Sequence, residues 1–133
     1  MNENALKTTL KLSMEEALER VPKALASEGF GVLTEIDIAG TLKAKLGVDR
    51  TPYRILGACN PALANRALEM DPEIGLMLPC NVVVYEEGDE VVVHAVDPRR
   101  ILGEPKEGEM SALADEVREK LARAIGSLNG PRQ

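Results

Sequence analysis

Apolar and polar positions change period along this chain, and each change marks an element. Residues 4–12 (NALKTTLKL) alternate apolar and polar, the period of a half-buried strand. Ser13 then opens S-M-E-E, in which the Ser13 hydroxyl and the Glu16 carboxylate cap each other's backbone. Met14, Leu18, Val21 and Leu25 follow at helical spacing, and Gly29 suits a helix end. A helix over about 14–28 is expected, kinked rather than broken by Pro22. FGVLTEIDI (30–38) is a β-branched strand, TLKAKLG (41–47) a short helix stopped by Gly47, and YRILGAC (53–59) a third strand. Asn60-Pro61 starts a further helix that runs to about Met70, where Asp71-Pro72 ends it. EIGLMLP is a compact connection.

CNVVVYEEGDEVVVHAV is the clearest hairpin, two valine runs around an acidic turn. A polar loop is expected at 103–109. Leu113, Val117, Leu121 and Ile125 then predict an amphipathic helix over 110–126, with 127–133 a frayed tail.

The resulting order is β-α-β-α-β-α-β-β-α. The second helix is too short to cover a crossover well, and the final hairpin is antiparallel. The expected fold is therefore α+β: an antiparallel-dominated sheet of about five strands, two long helices on one face, and two short helices between the middle strands.

With Glu87-Gly88-Asp89 as the hairpin loop, Val82 faces His94 and Cys80 faces Val96. One face then carries Cys80, Val82, Val84, Val92, His94 and Val96; the other carries Val83, Tyr85, Val91, Val93 and Ala95. Both faces are apolar, so both need a cover. The long helices supply one. A second copy of the chain is the expected second cover, with the short helices as the competing solution.

Composition narrows the rest. The chain has 133 residues, which is one domain, 1–133, with 44% apolar and 29% charged residues, so a disordered chain is excluded. No apolar stretch approaches the roughly 20 residues of a membrane span. The lack of a basic-then-apolar leader, and two cysteines without a CxxC, point to the cytoplasm. A net charge of −6 and only three aromatic residues argue against a nucleic-acid partner. Ile38–Leu68 is the exception. Lys43, Lys45, Arg50, Arg54 and Arg66 face only Asp49 there, a net of +4, while the remainder carries −10. Such an island receives a small anion or pairs with acids elsewhere in the fold.

Candidate chemistry is sparse. In the register above, Cys80 and His94 are diagonal neighbours on one face, a thiol–imidazole pair or two core residues. Cys59 precedes the helix capped by Asn60, whose positive end favours an anion; Arg54 lies nearby in sequence. The acidic turn lacks the EF-hand pattern, one His and two Cys make no zinc motif, and Gly29-Phe30-Gly31 is no phosphate loop, so no metal site is expected.

The strings GFGVLTEIDIAGTLKAKLGVDRTPYRILGACNP and LPCNVVVYEEGDEVVVHAVDP closely resemble the uncharacterised prokaryotic family known as domain of unknown function 302. The resemblance covers nearly the whole chain. It implies a curved sheet with two long helices, like the TATA-binding protein, and dimers; it supplies no activity, substrate or cofactor. The family pattern includes Cys59-Asn60-Pro61 and Pro79-Cys80-Asn81, so Asn81 joins the candidates. The leading expectation is a non-catalytic homodimeric module that binds a small, anionic ligand or acts in regulation. The alternatives are a thiol-dependent enzyme or redox protein using Cys80 or Cys59 with His94, and a structural assembly partner.

Overall fold

The computed structural model describes residues 3–101 and 108–129. A 3-10 turn (Glu3–Leu6) leads into β1 (Lys7–Leu10), so the predicted first strand shortens to four residues. α1 spans Met14–Ala26 and passes through Pro22. Both halves of the predicted capping box form, with Ser13 Oγ accepting from Glu16 N at 3.0 Å and Glu16 Oε1 accepting from Ser13 N at 3.2 Å. Beyond the helix Gly29 turns the chain at φ +88, and Phe30 N donates back to the Leu25 carbonyl.

β2 (Gly31–Asp37) ends sooner than the β-branched run suggests, and α2 (Ile38–Leu46) begins three residues before the predicted helix. The cause is Asp37, whose carboxylate accepts from Gly40 N at 2.9 Å and so caps a helix that swallows Ile38. β3 (Tyr53–Cys59) and α3 (Pro61–Met70) fall where predicted. A 3-10 segment (Pro72–Met77) leads to β4 (Cys80–Glu87) and β5 (Glu90–Ala95). α4 (Pro98–Ile101) is a single turn, and α5 (Glu109–Ser127) is the long final helix. Of the predicted polar loop, 103–107 lie outside the described residues, as do 130–133 of the predicted tail. The rest of that tail is docked. Leu128 is buried in the core, and Asn129 donates to Thr8.

The five strands form one antiparallel sheet in the order β1-β5-β4-β3-β2. α1 and α5 pack on the same face. Between them and the sheet lie Val21, Leu25, Leu56, Val82, Val84, Val91, Val93, Leu121 and Ile125, all buried. This is the predicted α+β architecture.

The hairpin register differs from the expected one by a single residue. Glu87 pairs with Glu90 and Val82 with Ala95, so the turn is the two-residue Gly88-Asp89. Gly88 has φ +64 while no described non-glycine residue, Asp89 included, has positive φ, the pattern of a type II′ turn. Side chains alternate along a strand, so a slip of one exchanges the faces. Cys80, Val82, Val84, Val91, Val93 and Ala95 therefore share the helix face. Val83, Tyr85, Val92 and His94 share the outer one. The predicted grouping of His94 and Val92 with Cys80, and of Val91 and Val93 with Val83, is corrected accordingly.

The outer face is the side the long helices leave alone. Tyr53, Ile55, Val83 and Tyr85 are half-buried on it, Ile36 is 47% exposed, and the two tyrosine rings stack at 5.2 Å. The short helices do not cover it. α3 packs against α5 and the 3-10 segment, and α2 buries no residue. Gly57 on this face has neighbours so close that an added Cβ would collide with Thr34 Oγ1 and lie 2.8 Å from Pro79 Cγ. The β2 register shift between Val32 and Thr34 lies alongside.

Candidate functional site

Where β3 ends and β4 begins, Ala58 pairs with Cys80, so Cys59, the next residue of β3, lies beside Cys80 in the backbone but alternates with Gly57 to the opposite face of the sheet. α3 leaves the sheet here, and α5 crosses above it. Between them lies a cleft of about 50 Å³. Cys59, Asn60 and Cys80 line it together with Leu63 and Ala64 of α3, Ile74 and Met77 of the 3-10 segment, and Leu113 and Val117 of α5. A cavity needs about 10–15 Å³ to hold one water, so this one takes a few non-hydrogen atoms. Three of the six predicted site residues meet here.

Both thiols are free. Burial, reinforced by the neighbouring Cys59, pushes the Cys80 thiol up to about 11. At neutral pH Cys80 is therefore a protonated, weakly nucleophilic thiol. Asn60 has structural work. Its Oδ1 accepts from Leu63 N at 3.3 Å and its Nδ2 donates to the Glu28 carbonyl at 3.2 Å, which ties the start of α3 to the corner after α1.

The other three predicted residues lie elsewhere. His94 is exposed on the outer face, across the sheet from Cys80, so the predicted thiol–imidazole pair does not form. Partial desolvation lowers its pKa, and the cations Lys7 and Arg100 add to the effect. Asn81 also projects from the outer face, and its backbone carbonyl accepts from Val96 N at 2.9 Å. Arg54 stands five residues before Cys59 on an extended strand, about 16 Å away. Its guanidinium pairs with Glu35 and lies 3.7 Å from Asp37. The predicted grouping of Arg54 with Cys59 and Asn60 in one anion site is thus not formed.

The basic island is instead engaged with acids and a ring. Lys43 lies 2.8 Å from Asp49, Arg66 lies 3.1 Å from Glu116, and Arg50 stacks over the Tyr53 ring. Lys43, Arg50 and Arg54 do line a wider surface groove with Asp37 and Asp49. With Glu35 also on Arg54, cations and carboxylates balance there, which removes the attraction for an anion.

Sequence reasoning missed the α5 and 3-10 walls of the cleft. The signal available was the apolar run Ile74-Gly-Leu-Met-Leu in a connection, where Leu76 and Met77 stay exposed. It also missed Arg118, 2% exposed, whose Nε donates to Asp97 Oδ2 at 3.1 Å. Among the described residues no three His, Cys, Asp or Glu side chains gather in a way that suits a metal ion. No described helix is long and apolar enough to cross a membrane.

Comparison with known proteins agrees with the fold. The solved structure of an uncharacterised conserved DUF302 protein from Bacillus stearothermophilus superposes with a TM-score of 0.81 at 31% identity, covering 91% of this chain and 96% of that one. No curated protein matches. The family model described as domain of unknown function DUF302 matches residues 6–128. With its sheet, helices and near-complete match, this chain belongs to the DUF302 family.

Proposed function

We propose that this chain is a non-catalytic binding module that works as a homodimer and holds a small ligand in the cleft under α3. The observation that carries this reading is the composition of the cleft: two cysteines, one amide already in use, and an aliphatic wall. Such a surface recognises by shape, dispersion and soft sulfur contacts. It offers no unpaired cation, so the ligand is small and soft or apolar rather than anionic. A nucleophile with its base and orienting group is not assembled around either cysteine, which disfavours the thiol-enzyme alternative.

A thermal-shift panel tests the reading. It sets small uncharged molecules and soft metal ions against phosphate, nucleotides and carboxylates, on the native chain and on Ala64→Leu, which fills the cleft. A member of the first group is expected to raise Tm by more than about 1 °C at millimolar concentration, since selective binding to the folded state stabilises it. The rise should vanish in Ala64→Leu. No shift from any compound, or shifts from anions alone, would overturn the assignment.

The homodimer rests on the outer sheet face. Ile36, Tyr53, Ile55, Val83 and Tyr85 form a half-exposed apolar surface, and a two-fold pair is the simplest closed way to cover it. Sedimentation equilibrium at micromolar concentration should give about twice 14.4 kDa. Val83→Asp should return the mass to that of one chain, because a carboxylate in the interface loses its hydration without a partner. A native chain that sediments as a monomer would refute the dimer. The two free thiols fit a reducing compartment, and we place the protein in the cytoplasm.

A further inference from the structure

We propose that the cleft between α3 and α5 receives the unbranched alkyl end of an amphiphile, which enters tail first and leaves its polar head in water. This rests on the reading of the cleft as the ligand site and names the ligand class.

Polarity excludes a head group from the interior. Leu63, Ala67, Ile74 and Leu113 are buried and form a second apolar cluster beside the main core. All four line the cleft. Among the described residues of its wall, only Asn60 has a strongly polar side chain. That amide is already bonded to Leu63 N and to the Glu28 carbonyl. A head group taken inside would lose its hydration and find no partner. An alkyl group gains with every methylene that leaves water.

Size selects the form of the apolar group. At about 10–15 Å³ for each water-sized group, the cleft of about 50 Å³ takes about three to five heavy atoms. An engineered apolar cavity that binds benzene has roughly 150 Å³, so a ring is too large here. The free space lies between two helices, where Ala64 and Ala67 of α3 and Ala114 of α5 leave room that longer side chains would fill. Such a slot suits a single unbranched chain. Its apolar lining also reaches the surface. Met77 lines the cleft and is 43% exposed, and Leu76 beside it in the chain is 83% exposed. Carbons beyond the first four or five therefore lie along the mouth, partly in water. Met70 and Met110 pack against the same cluster, and unbranched methionines adjust to a flexible guest.

Titration of the full chain with n-alkanols from propanol to octanol tests the proposal, read by NMR at the labelled methyl groups of its methionines. Met77 lines the cleft, and Met14 packs against the main core, which makes it an internal control. The Met77 methyl is expected to shift and the Met14 methyl to stay in place. Each added methylene should tighten binding about fourfold as far as pentanol, and less steeply from there to octanol. Forcing bulk into a packed site is costly, so tert-butanol and cyclohexanol should bind about tenfold more weakly than n-butanol and n-hexanol. The series is read on the native chain, so no variant has to fold. Affinity that ignores chain length would overturn the assignment, and so would branched and cyclic alcohols that bind as tightly as linear ones. Met14 shifting together with Met77 would overturn it as well. If small uncharged molecules still raise Tm in the native chain and not in Ala64→Leu, the cleft remains a ligand site and only the alkyl chain is eliminated. If neither the alcohols nor the panel bind, both readings fall together.

Discussion

Leu121→Ala is expected to destabilise the fold by about 3 kcal/mol, within the roughly 2–5 kcal/mol range of buried leucine truncations. α5 meets the sheet along its C-terminal half, where Leu121, Ala124, Ile125 and Leu128 join the strand valines in one cluster. Leu121 has no solvent exposure at all. Its truncation leaves a void between a helix and a sheet, and the sheet's cross-strand bonds resist collapsing into it. Domains of this size are stable by only about 5–15 kcal/mol, so the loss is a large fraction of the total. Urea melts should show a lower midpoint with an unchanged slope. A loss under about 1 kcal/mol would mean that α5 is not docked as described.

Asp97→Asn is expected to cost about 2 kcal/mol, since hydrogen bonds to charged groups contribute roughly 1.5–3 kcal/mol. Arg118 brings a guanidinium into the interior, 2% exposed, and Asp97 supplies a carboxylate 3.1 Å from its Nε. Asparagine keeps an oxygen for the turn bond that Asp97 Oδ1 accepts from Arg99 N at 3.0 Å, but removes the charge that offsets the guanidinium.

The pH dependence follows from the same geometry. Partial burial alone would raise the Asp97 pKa. The Arg99 backbone bond, the Arg118 and Arg99 side-chain bonds and the Arg118 charge outweigh it and hold the group below its ordinary 3.8. A depressed carboxylate stabilises fully above its unfolded pKa, and that contribution is lost as pH falls through the lower folded value. The gap between native and Asp97→Asn proteins should therefore be full at pH 7 and shrink below about pH 3.8. Urea melts at pH 7 and pH 3 would measure it. An equal gap at both would show that the ionised carboxylate is not what stabilises Arg118.

Local chemistry made most elements legible in advance. Ser13 with Glu16, Asn60 with Pro61, and the valine runs around Gly88 each encode their structure within a few residues. The misread places have local causes too. Asp37 closes a β-branched run that predicts a strand, although its short carboxylate suits a helix cap, and Gly88-Asp89 is itself a two-residue turn signature. That second error had the larger consequence. One residue of register carried His94 to the far side of the sheet and removed the pairing with Cys80 on which a thiol mechanism would depend.

What the sequence determined by itself is therefore the list of elements, their caps, the aliphatic core and the α+β class, because these depend on period and on contacts three or four residues apart. Tertiary structure alone decided which residues meet. It brought Cys59, Cys80 and Met77 to one cleft, sent Arg54 to Glu35 at the other end of β3, and buried Arg118 against Asp97. Met77 and Cys80 apart, those partners are separated by 18 to 21 residues, and the register of the strand pairing between β3 and β4 is not specified by any local pattern. Register is set by the fit of whole faces, helices against valines on one side and an open apolar surface on the other, and that fit exists only once the chain has folded.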